Sequence, residues 1–215
     1  MVMTGQKKDK LEMVLATRNR GKVSEFRTLL QGPDVEISCL NDFGPLPVVE
    51  EDGRTFEENA LKKARFAARI LGFPSIADDS GLVVNALDGM PGIHSARYAG
   101  QSAGDKENNL RLLRALEGVK DRSAFFMCVI AIAVPSGPAL IYEGRCDGFI
   151  TEKPAGNQGF GYDPLFYYPP LKKTFAEMSI AEKNCISHRG RALAEVKSEL
   201  GKIRIWIQQR MKPAP

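Results

Sequence analysis

Apolar and polar positions along the chain change period several times, and each change marks an element. Residues 13–17 (MVLAT) form a short unbroken apolar run, the pattern of a buried strand. A turn at residues 18–21 follows, and Val23, Phe26 and Leu30 then recur at helical spacing from about Lys22 onward. Val35, Ile37 and Cys39 alternate with polar residues, which predicts a second strand. Thr55-Phe56-Glu57-Glu58 reads as a capping box, and the helix it opens runs to Leu71, where Gly72 and Pro74 stop it. On that helix Glu58 and Lys62 have the spacing of a surface ion pair. Two apolar pieces, 75–77 and 82–87, flank an expected turn at 78–81. After a Gly/Pro-rich loop (DGMPGIHSARYAG), Leu110, Leu113 and Leu116 predict another helix. Residues 124–134 and 139–142 predict a hairpin across 135–138. A loop at 153–164 leads to a strand at 165–168, and Ser179-Ile180-Ala181-Glu182 is a second capping box. Leu193, Val196, Leu200, Ile203 and Ile207 form one stripe of a final helix. Strands and helices are mixed without strict alternation, which predicts an α/β or α+β domain on a mixed sheet.

No repeat, low-complexity stretch or linker divides residues 11–211, so a single domain is expected there, with a disordered leader at 1–10 and a frayed tail at 212–215. The 215 residues suffice for one domain or two closely apposed lobes. A hydrophobic fraction of 43% and a charged fraction of 26% are ordinary for a soluble globular protein. The net charge of +4 suits a small anionic ligand, and the basic residues are scattered among acids instead of clustered, which argues against a nucleic-acid partner. Cys39, Cys128, Cys146 and Cys185 lie far apart with no Cys-x-x-Cys pair, so neither zinc nor a disulfide scaffold is expected. The longest apolar run, 125–134, falls well short of the ~20 residues that cross a bilayer. The first residues also lack the apolar core of a signal peptide, so a cytoplasmic protein with no membrane partner is expected.

Five places could carry chemistry. Thr17, Asn19 and Lys22 lie between a strand and a helix start, where free N–H groups and a point charge can receive phosphate; the same residues also read as a polar turn. Glu50-Glu51-Asp52 is acidic, and Asp78-Asp79-Ser80-Gly81 interrupts apolar sequence. Adjacent carboxylates there are costly to desolvate unless neutralised, and a hard cation such as Mg²⁺ neutralises them most cheaply. Lys63 shares a helix face with Asn59 and could meet a phosphate or simply solvent. Phe160, Gly161, Tyr162 and Asp163 sit in a glycine-flanked loop, where Phe160 or Tyr162 could stack on a flat ligand. Lys183, Ser187, His188 and Arg189 stand between two helices and offer donors for carbonyl oxygens, or plain helix caps.

Each place alone is ambiguous, but their order is informative. Thr17-x-Asn19-x-x-Lys22, Phe56-x-x-Asn59-Ala60-x-x-Lys63-Ala64, Ala77-Asp78-Asp79-Ser80-Gly81-Leu82, Pro91-Gly92-Ile93-x-Ser95-Ala96-Arg97-Tyr98, residues 159–164 and Lys183-x-x-Ile186-Ser187-His188-Arg189-Gly190 occur in succession. This pattern resembles the inosine triphosphatase family, the non-canonical purine NTP pyrophosphatases, over almost the whole chain. Arg18 departs from it, standing where glycine is frequent. The resemblance implies two lobes around an elongated mixed sheet, with a nucleotide cleft between them, and a homodimer. It implies hydrolysis of ITP, dITP and XTP to the nucleoside monophosphate and pyrophosphate. It also implies Glu50 and Asp79 as magnesium ligands, Asp79 as general base and Lys63 as an orienting group. Thr17, Asn19 and Lys22 would hold the triphosphate; Ser80, Phe160, Gly161, Tyr162, Asp163, Lys183, His188 and Arg189 would hold base and sugar. Two other readings are a pyrophosphatase for other modified nucleotides and a non-catalytic nucleotide- or RNA-binding module; paired acids without a metal repel a phosphate chain, which weighs against the second.

Overall fold

The computed structural model describes residues 10–211; the expected leader, Lys10 aside, and the expected tail lie outside them. The chain runs β1 (Leu11–Leu15), α1 (Arg20–Leu30), β2 (Val35–Cys39), α2 (Phe56–Leu71), β3 (Ser75–Val84), α3 (Asp105–Ala115), β4 (Ser123–Ala133), β5 (Ala139–Ile150), β6 (Phe166–Tyr168), β7 (Lys173–Thr174), α4 (Ile180–Ile186), α5 (His188–Ser198) and α6 (Leu200–Met211), with short 3₁₀ turns between. The strands form one seven-stranded sheet in the order β2-β1-β3-β4-β5-β6-β7. β1 is parallel to β2 and β3, and the remaining pairs are antiparallel, so the fold is α/β on a mixed sheet.

β3 decides where the cleft lies. The expected turn at 78–81 does not form: the strand runs unbroken and pairs with β4 from Ser75↔Ala133 to Val84↔Ala124. A ladder of that length outweighs the local turn preference of Asp-Asp-Ser-Gly. On its other side β3 meets β1 only at Val14↔Ser75 and Leu15↔Ile76. Among the described residues no strand pairs with that edge between Ala77 and Gly81; farther along, Val83 bridges Pro91 and Leu82 N–H donates to Ser95 Oγ. The gap lies at the carboxyl end of β1, the usual place for a ligand crevice in such sheets.

The apolar interior is divided by the same stretch. Ile76, Ile130 and Ile132 pack with Phe26, Val196 and Ile203 on one face of the sheet. Ala77 and Ala131 pack with Ala60, Ala64 and Ala67 of α2 on the other. Toward the far end, Leu82, Val84 and Phe126 join Leu112, Phe166 and Phe175. Residues 78–81 belong to none of these clusters, although their β4 partners Val129 and Cys128 do.

Three local expectations need correction. α3 buries Asn108 and Leu112, with Leu116 just past its end, while Leu110 is 49% exposed, because a strict spacing of three drifts off the buried face. The final helix is two helices, α5 and α6, separated at Glu199; Val196, Ile203 and Ile207 remain on one buried cluster across the break. At the start of α2 the Thr55 hydroxyl caps Glu58 N–H as expected, but the Glu58 carboxylate accepts from Arg54 N–H at 2.7 Å and Lys62 pairs with Asp52. At Ser179 the capping box closes in both directions. Cys39, Cys128 and Cys146 are buried, Cys185 is exposed, and all are free thiols. Among the described residues no helix is long and apolar enough to cross a membrane.

Candidate active site

Neighbours on a strand point to opposite faces, and this separates the two adjacent aspartates of β3. Asp78 and Ser80 face α1 and α5; Asp79 faces α2. On the α2 side, Lys63 Nζ donates to Asp79 Oδ1 at 2.7 Å and Asn59 Nδ2 to Asp79 Oδ2 at 3.3 Å. Gly53 N–H donates to Asn59 Oδ1 at 2.8 Å and so orients that amide. Lys63 and Asn59 are therefore buried partners of Asp79, and the solvent-facing alternative for Lys63 is excluded. Burial pushes the Asp79 carboxyl above its ordinary value, while the Lys63 ammonium pulls the other way. That combination yields a carboxylate that accepts a proton more readily than a free one.

On the other face Asp78 Oδ2 accepts from Arg189 Nε and Nη2 at 3.2 and 2.9 Å, from Ser80 Oγ at 3.0 Å, and lies 3.0 Å from Lys22 Nζ. Burial opposes the charge, but Lys22 and Arg189 overcome it and hold Asp78 well below the carboxylate range. Asp78 is thus neutralised by side chains and, contrary to the expectation for both aspartates, calls for no metal. Arg189 also pairs with Glu25, which lies 3.0 Å from Lys183 Nζ; Lys183 in turn donates to Asp163 at 2.6 Å. Burial works against the charge on Glu25, yet Arg189 and Lys183 lower its pKa. Glu25 carries no sequence signal beyond its place on α1, one position from Phe26. The network is closed and buried, so its members support one another.

The phosphate-type residues sit beside it. Asn19 caps α1, its Oδ1 accepting from Lys22 N–H at 3.1 Å, and Thr17 Oγ1 accepts from Asn19 N–H at 3.2 Å. Among the described residues nothing accepts from the Asn19 amide, the Thr17 hydroxyl or the first two N–H groups of α1. Arg18, the departure from the family pattern, is tied instead to Asn41. Gly21 matters for closeness: a Cβ there would lie 2.7 Å from the Phe160 ring. The Phe160 loop turns through Gly159 (φ 77°) and Gly161 (φ 62°), conformations that favour glycine. Asp163 Oδ2 accepts from Phe160 N–H at 2.9 Å, and the Lys183 ammonium stands 4.8 Å over the ring. Of the two aromatic candidates for stacking, Tyr162 is buried with its hydroxyl on the Ser95 carbonyl at 2.9 Å, which leaves Phe160.

Thr17, Asn19, Lys22, Lys63, Asp79, Ser80, Phe160, Gly161, Tyr162, Asp163, Lys183, His188 and Arg189 all line one cavity of about 410 Å³. Glu50 is the exception. Glu51 lines the cavity, 3.5 Å from Lys63 Nζ, and Glu50 does not, because neighbours in an extended segment point apart. Sequence reasoning also missed Asp105 and an apolar wall including Val49, Phe66 and Ile70.

His188 opens α5 and stacks on Phe126, ring centroids 4.6 Å apart, with its Nδ1 buried and without a hydrogen-bond partner among the described residues. Burial first, and then Arg189 and Lys183, depress its pKa well below 6.5, so the ring is neutral at pH 7. A folded pKa below the unfolded one means that the unfolded chain gains a proton that the folded chain refuses. The stability of wild type relative to His188→Phe should therefore fall on acidification below pH 6.5, by up to about 1.4 kcal/mol per pH unit, in urea titrations at several pH values. A constant difference would mean that His188 is charged in the fold.

The model of the Ham1 family matches residues 13–199. The chain belongs to the Ham1 family. It is 59% identical over 198 residues to a dITP/XTP pyrophosphatase of Syntrophobacter fumaroxidans, covering 92% of this chain and 85% of that protein. It is 57% identical over 205 residues to a protein of the same description from Desulfotalea psychrophila, covering 94% and 92%. Among solved structures, a HAM1 protein from Coxiella burnetii superimposes with a TM-score of 0.82 at 45% identity, covering 89% of this chain and 99% of that one. The Ham1 protein of Staphylococcus aureus gives 0.81 at 43%, with the same coverage.

Proposed function

We propose that this Ham1 protein is a magnesium-dependent pyrophosphatase that hydrolyses ITP, dITP and XTP to the nucleoside monophosphate and pyrophosphate, working in the cytoplasm as a homodimer. One observation carries the reading: Asp79, gripped by Lys63 and Asn59, opens onto the same cavity as the amino end of α1 and the Phe160 ring. An anion site, a proton acceptor and a flat aromatic thus surround one ligand-sized space. The dITP/XTP pyrophosphatase relatives support the same substrate class.

Charge supports the metal. Lys22, Lys63, Lys183 and Arg189 are four cations against five carboxylates, Glu25, Glu51, Asp78, Asp79 and Asp163; counting Arg18 and Asp105, also at the cavity, leaves the difference unchanged. A triphosphate entering that excess of negative charge needs added positive charge. Lys63 already lies between the Glu51 and Asp79 carboxylates, so this is where a cation is favoured. Magnesium is commonly held by one or two carboxylates plus substrate phosphates, and Glu51 and Asp79 fit that donor set. When bound, the ion neutralises phosphate oxygens and makes their phosphorus easier to attack.

The remaining chemistry belongs to the chain. Thr17, Asn19, Lys22 and the α1 amino end receive the phosphate tail. Asp79 takes the proton of the attacking water, and Lys63 keeps the carboxylate aimed. Phe160 covers the base. The 6-oxo group of hypoxanthine or xanthine meets donors at the Lys183 and His188 end, where Arg189 acts from within its ion-pair network; adenine, with an amine there, leaves donors facing donors. Pyrophosphate release from ITP, dITP, XTP, GTP and ATP, with Mg²⁺ and with EDTA, tests the proposal. ITP is expected to exceed ATP by on the order of 10²-fold in kcat/KM, and EDTA to abolish turnover. Equal rates on ATP and ITP, or full activity in EDTA, would contradict it.

A further inference from the structure

Ser95 and Arg97 belong to the ordered pattern of the sequence, yet neither enters the chemistry assigned to the cleft. In the fold they share one 3₁₀ segment, Gly92–Arg97. The segment lies so close to β3 that a Cβ on Gly81 would sit 2.3 Å from the Gly92 carbonyl oxygen. Ser95 Oγ accepts from Leu82 N–H at 2.9 Å, and the Ser95 carbonyl accepts from the Tyr162 hydroxyl at 2.9 Å. The segment is thereby locked to the strand that carries Asp79 and to the loop that carries Phe160. From its other end Arg97 Nη2 donates to the main-chain carbonyl of Glu51 at 3.0 Å.

Glu51 lies in a stretch with no helix or strand, so no backbone ladder sets the distance between its carboxylate and Asp79. Its neighbours are tied to α2, Asp52 to Lys62 and Gly53 N–H to Asn59, while the Glu51 main chain itself is held by Arg97. We infer that Arg97 is a positioning residue: by holding the Glu51 carbonyl against the locked segment, it sets the spacing of the Glu51 and Asp79 carboxylates and hence the affinity of the cleft for a divalent cation. The inference rests on Glu51 and Asp79 being the metal-holding pair. Groups behind a metal ligand commonly change metal affinity 10- to 100-fold when removed. A lysine at 97 would keep the charge but lose the planar, multi-donor fork.

The test uses Mn²⁺, which prefers the same oxygen ligands, as a spectroscopic probe on the full chain without nucleotide. Free Mn²⁺ is read by its paramagnetic resonance signal for wild type, Arg97→Ala, Arg97→Lys, Glu51→Gln and the Arg97→Ala/Glu51→Gln pair. Arg97→Ala is expected to weaken Mn²⁺ binding about tenfold, with partial recovery in Arg97→Lys. The double variant should bind no more weakly than Glu51→Gln alone, since both changes act through one carboxylate. With Mg²⁺ in turnover assays, the activation constant for the ion should rise while the KM for ITP at saturating Mg²⁺ stays put; a general loosening of the fold would raise both. Unchanged Mn²⁺ affinity in both Arg97 variants, or fully additive losses in the double variant, would overturn the inference. If Glu51→Gln binds Mn²⁺ as wild type does, the choice of ligands itself falls, and the role of Arg97 with it.

Discussion

Asp79→Asn should release pyrophosphate from ITP about 10²–10⁴ times more slowly than wild type at saturating Mg²⁺, the usual loss when a positioned proton acceptor is removed. The amide keeps the shape of the carboxylate and can still accept from Lys63, so the variant should fold and the loss should fall on kcat. Its cause is chemical: an amide oxygen does not take a proton from water at neutral pH. Burial raises the Asp79 pKa in the metal-free cleft, and a bound dication favours the carboxylate, so the acid limb of the kcat/KM profile should move to lower pH as Mg²⁺ is raised. Protonation below that limb disables the base, so activity falls as pH drops. Turnover near that of wild type would remove Asp79 from the role.

The second large effect is on stability. Arg189 is 2% exposed and serves Asp78, Ser80 and Glu25 at once. Arg189→Met keeps most of the side-chain length but removes the cation shared by two buried carboxylates, leaving Asp78 with Lys22 alone and Glu25 with Lys183 alone. Removing one partner of a buried ion pair costs about 3–5 kcal/mol, far more than the intact pair contributes against an apolar substitute. The unfolding free energy from urea titration should fall by that amount, and neutralising both acids in Arg189→Met/Asp78→Asn/Glu25→Gln should recover part of it. Arg189→Lys should help little, since one ammonium cannot span both carboxylates as the fork does. An unfolding free energy within about 1 kcal/mol of wild type in Arg189→Met would show that water reaches and solvates the network.

These two residues show how unevenly the site could be read in advance. Asp79 was legible because an acid amid apolar sequence demands an explanation. The Lys22 turn, the glycine-flanked Phe160 and the Lys183-to-Arg189 stretch were legible for a similar reason, as residue types whose chemistry conflicts with plain packing. Glu51 was not separable from Glu50, because alternation without a register leaves the choice of face open. Glu25 was invisible: it looks like any helix acid until Arg189 and Lys183, more than a hundred residues later, are brought against it.

What the sequence determined by itself is local and periodic. Helix faces such as Val23-Phe26-Leu30, the caps at Thr55 and Ser179 and the alternation of Val35, Ile37 and Cys39 depend on neighbours within a few residues, and all formed. The order of motifs likewise specified the Ham1 family. Only the tertiary structure decided that residues 78–81 stay extended, because ten pairings with β4 outweigh four turn-prone residues. That one outcome sends Asp78 to a structural network and Asp79 to the cleft. Which face a strand residue takes follows from pairing between distant segments, and no local pattern carries that information.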